Sequence, residues 1–349
     1  ALFGLDAETA HEFAIKALRT GLDSAPAQRL ARSRYLFDFP WEVERFGLKF
    51  QNPIGIAAGF DKNGRVVNQL ASLGFGFVEV GTVTLRPQAG NEKPRMFRLP
   101  QDEALINRLG FNNEGAQAVA ERLARLDRRC VVGVNIGKNK DVPNEEAVEN
   151  YLAAFDVVHP VADYIAVNIS SPNTPNLREL QRAESLDELL SSLQSRNREL
   201  GSKPLLVKIA PDLTDDEIES AVDVCRQHEV SGMIATNTTT SREGLKTEDL
   251  AGIGAGGLSG RPISARSTAV IWKIFRYSHG KMPVIGVGGV FGPQDAFEKV
   301  LAGACLIQAY TGFVYYGPSF ARSVNSGLVE LLKKGGFRDL DSAIGSKAG

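Results

Sequence analysis

The stretch PVIGVGGVFGPQDAFEKVLAGACLIQAYT, residues 283–311, decides the fold. It holds an apolar run (283–287), two glycines at 288 and 289, a segment of helical apolar spacing (294–302) and a second apolar run (305–309) ending on Tyr310 and Thr311. Near-continuous apolar runs of about five residues mark parallel strands buried on both faces, since one wet face would produce alternation. A helix between two such runs is the crossover that parallel pairing needs.

Outward from this unit the pattern repeats. Further runs at 54–58, 77–80, 131–136, 164–169, 205–209 and 232–235 bring the total to eight. Segments at 187–200, 214–228 and 265–279 carry helical spacing, and Thr214 with Glu217 has the form of a capping box. Eight such units predict an α/β fold, a (β/α)8 TIM-type barrel.

Composition agrees and excludes several classes. At 349 residues, 43% apolar and 23% charged, the chain is ordinary globular material, long enough for one barrel with an appendage. Forty Lys and Arg against 41 Asp and Glu leave a net charge of -1, so no nucleic-acid partner is expected. Cys130, Cys225 and Cys305 are odd in number and far apart, which fits neither a disulfide framework nor a metal or iron–sulfur spacing. The four histidines, His11, His159, His228 and His279, fall at the N-terminus or on helical segments, which argues against histidine-based catalysis. No stretch has a membrane span's length of apolar residues, and no signal-peptide pattern opens the chain. The first residue is Ala rather than Met, so a short preceding piece is expected.

The runs end, in order, on Ala58-Gly59, Gly81-Thr82, Asn135, Asn168, Lys208, Thr236-Asn237, Gly288-Gly289 and Tyr310-Thr311. Asn and Gly make turns, which would explain any single position. Repeated around a barrel, they form the polar ring that an active site at the C-terminal strand ends needs. Gly286, Gly288 and Gly289 before a helix would let backbone N–H groups approach a phosphate, such as that of flavin mononucleotide, FMN. Lys208 inside a barrel needs an anionic partner, either the N1 and O2 edge of a reduced flavin or a carboxylate such as Asp212. GIGAGG matches GxGxxG at Gly252, Gly254 and Gly257, but no strand precedes it and no helix opens on it, so it reads as a flexible loop. Gly59 to Gly64 lacks the Lys and Ser or Thr that end a P-loop. NISSPNTPNLR (168–178), INRLGFNN (106–113) and ATNTT (235–239) carry asparagines to one barrel mouth, where they predict a neutral, hydrogen-bonding pocket.

Two pieces lie outside the repeat. Ala7 to Arg19 and Pro26 to Phe37 read as helices, the second with Arg29, Arg32 and Arg34 beside apolar residues. They either pack on the barrel or rest as an amphipathic hairpin on a membrane surface. The connection 83–111, with Pro87, Gly90, Pro94 and Pro100, is long enough for a lid or a site wall.

NPIGIAAGFDKNG, PRMFRLP, INRLGFNNEG, GVNIGKNK, NISSPNTPNLR, VKIAPDL, TNTT, GGLSGRP, IGVGG and QAYTGFVYYGP occur in this order along nearly the whole chain. Together they resemble the class 2, quinone-dependent, dihydroorotate dehydrogenases. The resemblance implies a TIM barrel (37–349) holding FMN, and an N-terminal helical hairpin (1–36) forming the quinone entrance and a membrane contact. By motif, Ala57, Ala58, Gly59, Thr82, Asn135, Asn168, Lys208, Thr236, Ser259, Gly260, Gly288, Gly289, Tyr310 and Thr311 would contact FMN. Lys62, Asn107, Arg108, Leu109, Gly110, Phe111, Asn168, Asn173, Asn237 and Thr238 would hold dihydroorotate or orotate, with Lys62 meeting the carboxylate. Ser171 would be the base, where class 1 relatives have Cys, with Thr174 and Phe111 around a water-linked proton path and Lys208 stabilising reduced flavin. His11, Arg98 and Tyr310 would line a tunnel for ubiquinone or menaquinone. The opening ALFGLDAETAHEF looks like the near-start of a bacterial member. That places the protein on the inner face of a bacterial cytoplasmic membrane, with the mitochondrial inner membrane as the alternative; no obligate protein partner is expected. Alternatives are an FMN barrel acting on another small substrate, a class 1 type enzyme using fumarate or NAD, or a noncatalytic barrel binding a phosphate ligand.

Overall fold

The computed structural model describes residues 4–248, 250 and 252–347. Its strands are β1 (Val43–Arg45), β2 (Leu48–Phe50), β3 (Ile54–Ile56), β4 (Phe77–Val83), β5 (Met96–Leu99), β6 (Ala104–Asn107), β7 (Val131–Ile136), β8 (Tyr164–Asn168), β9 (Leu205–Ile209), β10 (Gly232–Ala235), β11 (Gly257–Gly260), β12 (Val284–Val287) and β13 (Ala304–Ala309). The α-helices are α1 (Ala7–Gly21), α2 (Ala25–Tyr35), α3 (Val67–Ser72), α4 (Ala116–Ala124), α5 (Ala147–Val158), α6 (Ala183–Leu200), α7 (Asp215–Gln227), α8 (Ser264–Tyr277), α9 (Pro293–Ala302), α10 (Thr311–Tyr316) and α11 (Phe320–Lys334).

Eight strands close a barrel in the order β10-β12-β13-β3-β4-β7-β8-β9, every pair parallel. Each corresponds to one of the apolar runs in the sequence. β3, β4, β8, β9, β10, β12 and β13 are buried at every residue, as strands covered on both faces must be. The α7 capping box is formed: Glu217 N donates to Thr214 Oγ1 at 3.3 Å and Thr214 N to Glu217 Oε2 at 2.8 Å. At the N-terminal end of the barrel, β1 and β2 make a hairpin whose Phe50 meets Phe77 edge-on at 5.3 Å.

The long connection 83–111 contains β5 and β6, paired antiparallel. One expectation about connections needs correction: the GIGAGG segment is not simply a flexible loop, because its last glycine, Gly257, opens β11, which pairs antiparallel with β6. Leu99, Ala104, Ile106 and Leu258 give this three-stranded sheet a small core of its own. Each of these strands carries a polar residue, Arg98, Asn107 or Ser259, so none reads as an unbroken apolar run.

α1 and α2 are both present, capped by Asp6 and Ser24. Glu8 on α1 and Arg95 form a buried ion pair, 2.7 Å from Arg95 Nη2 to Glu8 Oε1. Residues 1–3 of the expected 1–36 segment, together with 249, 251, 348 and 349 of the expected 37–349 segment, lie outside the described residues.

Candidate active site

The polar strand ends do converge. Ala57, Ala58, Gly59, Lys62, Thr82, Asn168, Ser171, Asn173 and Lys208 line one cavity at the C-terminal mouth of the barrel. Thr236, Asn237, Thr238, Gly288, Gly289, Tyr310 and Thr311 complete its circumference, while Asn107, Leu109, Gly110, Phe111, Ser259 and Gly260 come from the three-stranded sheet and its connections. Met96 and Leu105 of the same sheet add apolar wall, so the long connection is a site wall.

Some expected residues stand elsewhere. Arg108 turns away from the cavity: its guanidinium donates to the Ile253 and Ala255 carbonyls and lies 4.7 Å over the Phe97 ring. Asn135 lies one layer behind the lining, where it meets Thr82 and Glu79. Thr174 is buried beyond the lining, and its Oγ1 has no hydrogen-bond partner among the described residues.

A chain of polar contacts crosses the cavity floor. Asn237 Nδ2 donates to Asn168 Oδ1 at 3.2 Å, and Asn168 Nδ2 to Thr82 Oγ1 at 2.8 Å. Thr82 Oγ1 donates to Asn135 Oδ1 at 2.6 Å, and Asn135 Nδ2 to Glu79 Oε1 at 2.9 Å. Such a chain fixes which way each amide points, because each donor dictates the acceptor that follows it. Asn173 joins from the other side, donating through Nδ2 to Asn107 Oδ1 at 3.2 Å.

Glu79 is the residue that sequence reasoning missed. It is fully buried in β4, and besides Asn135 it accepts from Tyr164 Oη at 3.0 Å and Gln308 Nε2 at 2.7 Å. Its carboxylate stands 3.9 Å from the Lys208 ammonium. Asp212, the carboxylate considered for Lys208, is instead paired with Arg178 at 2.7 Å. A carboxylate within the apolar run after Phe77 was the available signal. Burial pushes Lys208 below its ordinary range, with Glu79 opposing the shift. Lys62 is pushed down to about 8, chiefly by burial.

Ser171 is 6% exposed, and its Oγ accepts the Asn173 backbone N–H at 3.2 Å, which directs the hydroxyl's remaining donor and lone pair elsewhere. Opposite, Gly288 (φ +121°) and Gly289 (φ +69°) pack on the start of α8. A Cβ at Gly289 would stand 2.4 Å from Ser264 Cβ, so only glycine lets the turn run this close.

A second cavity, of about 400 Å³, lies beneath α1 and is lined mainly by apolar residues, among them Ala10, Ala14, Leu18, Phe60, Phe313 and Val314. His11, Arg98 and Tyr310 are on its wall, and Met96, Leu105 and Tyr310 line both cavities. The His11 ring meets Phe60 edge-on at 5.1 Å; enclosure, reinforced by the Lys62 charge, holds it at about 3, so the imidazole is neutral.

Fold and site define an α/β barrel with a polar strand-end cavity that shares a wall, formed by Met96, Leu105 and Tyr310, with an apolar one. Residues 41–332 match the family model described as Dihydroorotate dehydrogenase. The chain is 51% identical over 347 residues to a protein named dihydroorotate dehydrogenase (quinone) from Roseiflexus sp. (strain RS-1), covering 99% of this chain and 96% of that one. It is 49% identical over 347 residues to the protein of the same name from Gloeobacter violaceus, covering 99% and 96%. Among solved structures, ligand-free DHODH from Eimeria tenella superposes with a TM-score of 0.89 at 37% identity, over 98% of this chain and 99% of that one. The same protein in complex with ferulenol gives 0.87, at 37% identity over 99% and 98%. The chain belongs to the dihydroorotate dehydrogenase family, which is flavin-dependent.

Proposed function

We propose that the protein oxidises (S)-dihydroorotate to orotate with FMN and passes the electrons to a quinone, the fourth step of de novo UMP synthesis. The observation that carries this reading is a pair of cavities that share a wall. Ser171, Lys62 and the asparagines line one, an apolar pocket beneath α1 forms the other, and Tyr310 borders both. One suits a small polar anion and the other a lipophilic acceptor.

The residues present fit FMN. Thr236 Oγ1 and Gln308 Oε1, on two cavity-lining residues, are buried without partners among the described residues, as groups awaiting a polar ligand would be. The close-packed Gly288-Gly289 turn would take the phosphate. Ala57, Ala58, Gly59, Thr82, Asn168, Lys208, Thr236, Ser259, Gly260, Tyr310 and Thr311 would hold the rest, with Asn135 orienting Thr82 from behind. FMN supplies the hydride acceptor and the link to the quinone.

Lys62 would pair with the substrate carboxylate, and Asn107, Asn173, Asn237 and Thr238 would hold the pyrimidine edges. Ser171 Oγ would take the proton from C5 while hydride leaves C6. A serine is a weak base alone, so the proton must move on; the unpartnered Thr174 hydroxyl offers the next stop, beside a path bounded by Phe111. Orientation by the asparagine network would supply much of the rate. Lys208, held by Glu79, would place positive charge where negative charge develops.

Residues 1–36 would form the quinone entrance against a barrel of 37–349. Phe13 and Leu30, 56% and 73% exposed, would enter lipid, with Arg29, Arg32 and Arg34 near anionic headgroups. No helix among the described residues is long and apolar enough to cross a membrane, so contact would be peripheral. The inner face of a bacterial cytoplasmic membrane is the site proposed, with ubiquinone or menaquinone as acceptor.

The test is anaerobic. Dihydroorotate should bleach the flavin band of the purified protein, and a ubiquinone analogue, but not NAD, should restore it. Recovery only with NAD overturns the acceptor; no bleaching of flavin-loaded protein overturns the substrate.

A further inference from the structure

Lys299 of α9 is fully buried, yet among the described residues its ammonium meets only neutral oxygens. It donates to Thr268 Oγ1 at 3.0 Å, to Ser267 Oγ at 3.1 Å and to the Ser264 carbonyl at 3.4 Å, all in α8. Asp295 and Glu298 act on it through space alone. Asp295 is committed to its own helix start, accepting from Phe291 N at 2.8 Å and Gly292 N at 2.9 Å. Burial pushes the ammonium down to about 7, as befits a cation without a counter-charge in contact.

The placement gives this charge a direction. Ser267 Oγ accepts from Lys299 and donates to the Val287 carbonyl at 2.7 Å, so a hydroxyl relay links the ammonium to the residue before the glycine turn. A Cβ built on Gly288 would stand 3.1 Å from Ser267 Cβ, and one on Gly289 2.4 Å from Ser264 Cβ. The first turn of α8 is therefore sandwiched between the cavity-lining glycines and Lys299. The positive end of the α8 dipole and the ammonium add at the same place, which raises the cost of burying the cation unless an anion sits in front.

We propose that Lys299 is a positioning residue for the flavin phosphate: it holds positive charge directly behind the Gly288-Gly289 turn, and a phosphate seated on that turn compensates it across the first turn of α8. This rests on the FMN reading above. Lys299 touches neither substrate nor flavin and acts through α8 and Ser267.

The experiment compares FMN with riboflavin, which lacks the phosphate, by titrating flavin-stripped wild type and Lys299→Met and following quenching of flavin fluorescence. The expected result is a loss of about tenfold in FMN affinity, the scale of a partly buried charge at a helix terminus, with riboflavin affinity unchanged. The melting temperature of the stripped variant should equal or exceed that of wild type, because an uncompensated charge has been removed. An unchanged ratio of FMN to riboflavin affinity, or an equal loss for both flavins, overturns the proposal and leaves Lys299 as a tie between α8 and α9. Wild type showing no preference for FMN would instead overturn the cofactor reading. If the Met variant does not fold without flavin, Lys299→Gln removes the charge while keeping hydrogen bonds to the hydroxyls and gives the same readout.

Discussion

The Lys208 ammonium faces the Glu79 carboxylate at 3.9 Å in the floor of the barrel cavity, and Glu79 is held there by Asn135, Tyr164 and Gln308. The two side chains are 6% and 0% exposed. Removing one partner of such a pair costs about 3–5 kcal/mol, because the survivor is left as an uncompensated buried charge. Glu79→Ala is therefore expected to lower stability by about that amount in urea denaturation. A loss under about 1 kcal/mol would show that Asn135, Tyr164 and Gln308 hold the floor without the charge.

Ser171 is the cavity-lining hydroxyl proposed to take the proton from C5, so its removal should separate chemistry from binding. Ser171→Ala is expected to slow flavin reduction by dihydroorotate about 10²-fold or more while FMN stays bound and orotate affinity changes little. Stopped-flow absorbance at the flavin band measures the first, equilibrium titration the others. Unchanged reduction kinetics would remove Ser171 from the mechanism.

Arg108 offers the opposite test. The resemblance groups it with the substrate residues, but its guanidinium is spent on Ile253 O and Ala255 O and on the Phe97 ring. Arg108→Leu should leave the KM for dihydroorotate within about twofold, the range of a substitution away from the site. A large rise in KM would mean that the side chain swings inward when substrate binds.

What the sequence made legible follows from physical range. The eight barrel runs were readable because strands buried on both faces write themselves as unbroken apolar runs, and their C-terminal ends locate the site through topology alone. β5, β6 and β11 were not: each carries a polar residue, Arg98, Asn107 or Ser259, that breaks the apolar run, and β11 reaches β6 across 150 positions, as between Asn107 and Gly257. Choosing Glu79 rather than Asp212 as the partner of Lys208 likewise needed geometry: Asp212 is four residues away in sequence but pairs with Arg178, while Glu79 arrives from a strand on the far side of β7 and β8. The Asn168–Thr82–Asn135 chain was visible only as separate strand-end residues.

Docking of α1 should respond to acid, with a sign set by Glu8 and His11. On Glu8, burial raises the carboxyl, but the Arg95 hydrogen bond and charge, with Lys93, outweigh it and hold it below 4.5. A depressed carboxyl contributes stability above its ordinary range and loses it only as pH falls through the lower folded value, so Glu8 stays paired at pH 5. His11 is held at about 3 against an ordinary 6.5, so undocked protein binds the extra proton first and docking of α1 weakens as pH falls below 6.5. Limited proteolysis within residues 7–21 should therefore speed up between pH 7.5 and pH 5 in wild type, and much less in His11→Phe, which keeps an aromatic ring against Phe60. Glu8→Gln should instead raise cleavage at both pH values and slow quinone-dependent turnover, while anaerobic reduction by dihydroorotate is unchanged. Equal acid sensitivity in wild type and His11→Phe would place the proton switch on another residue.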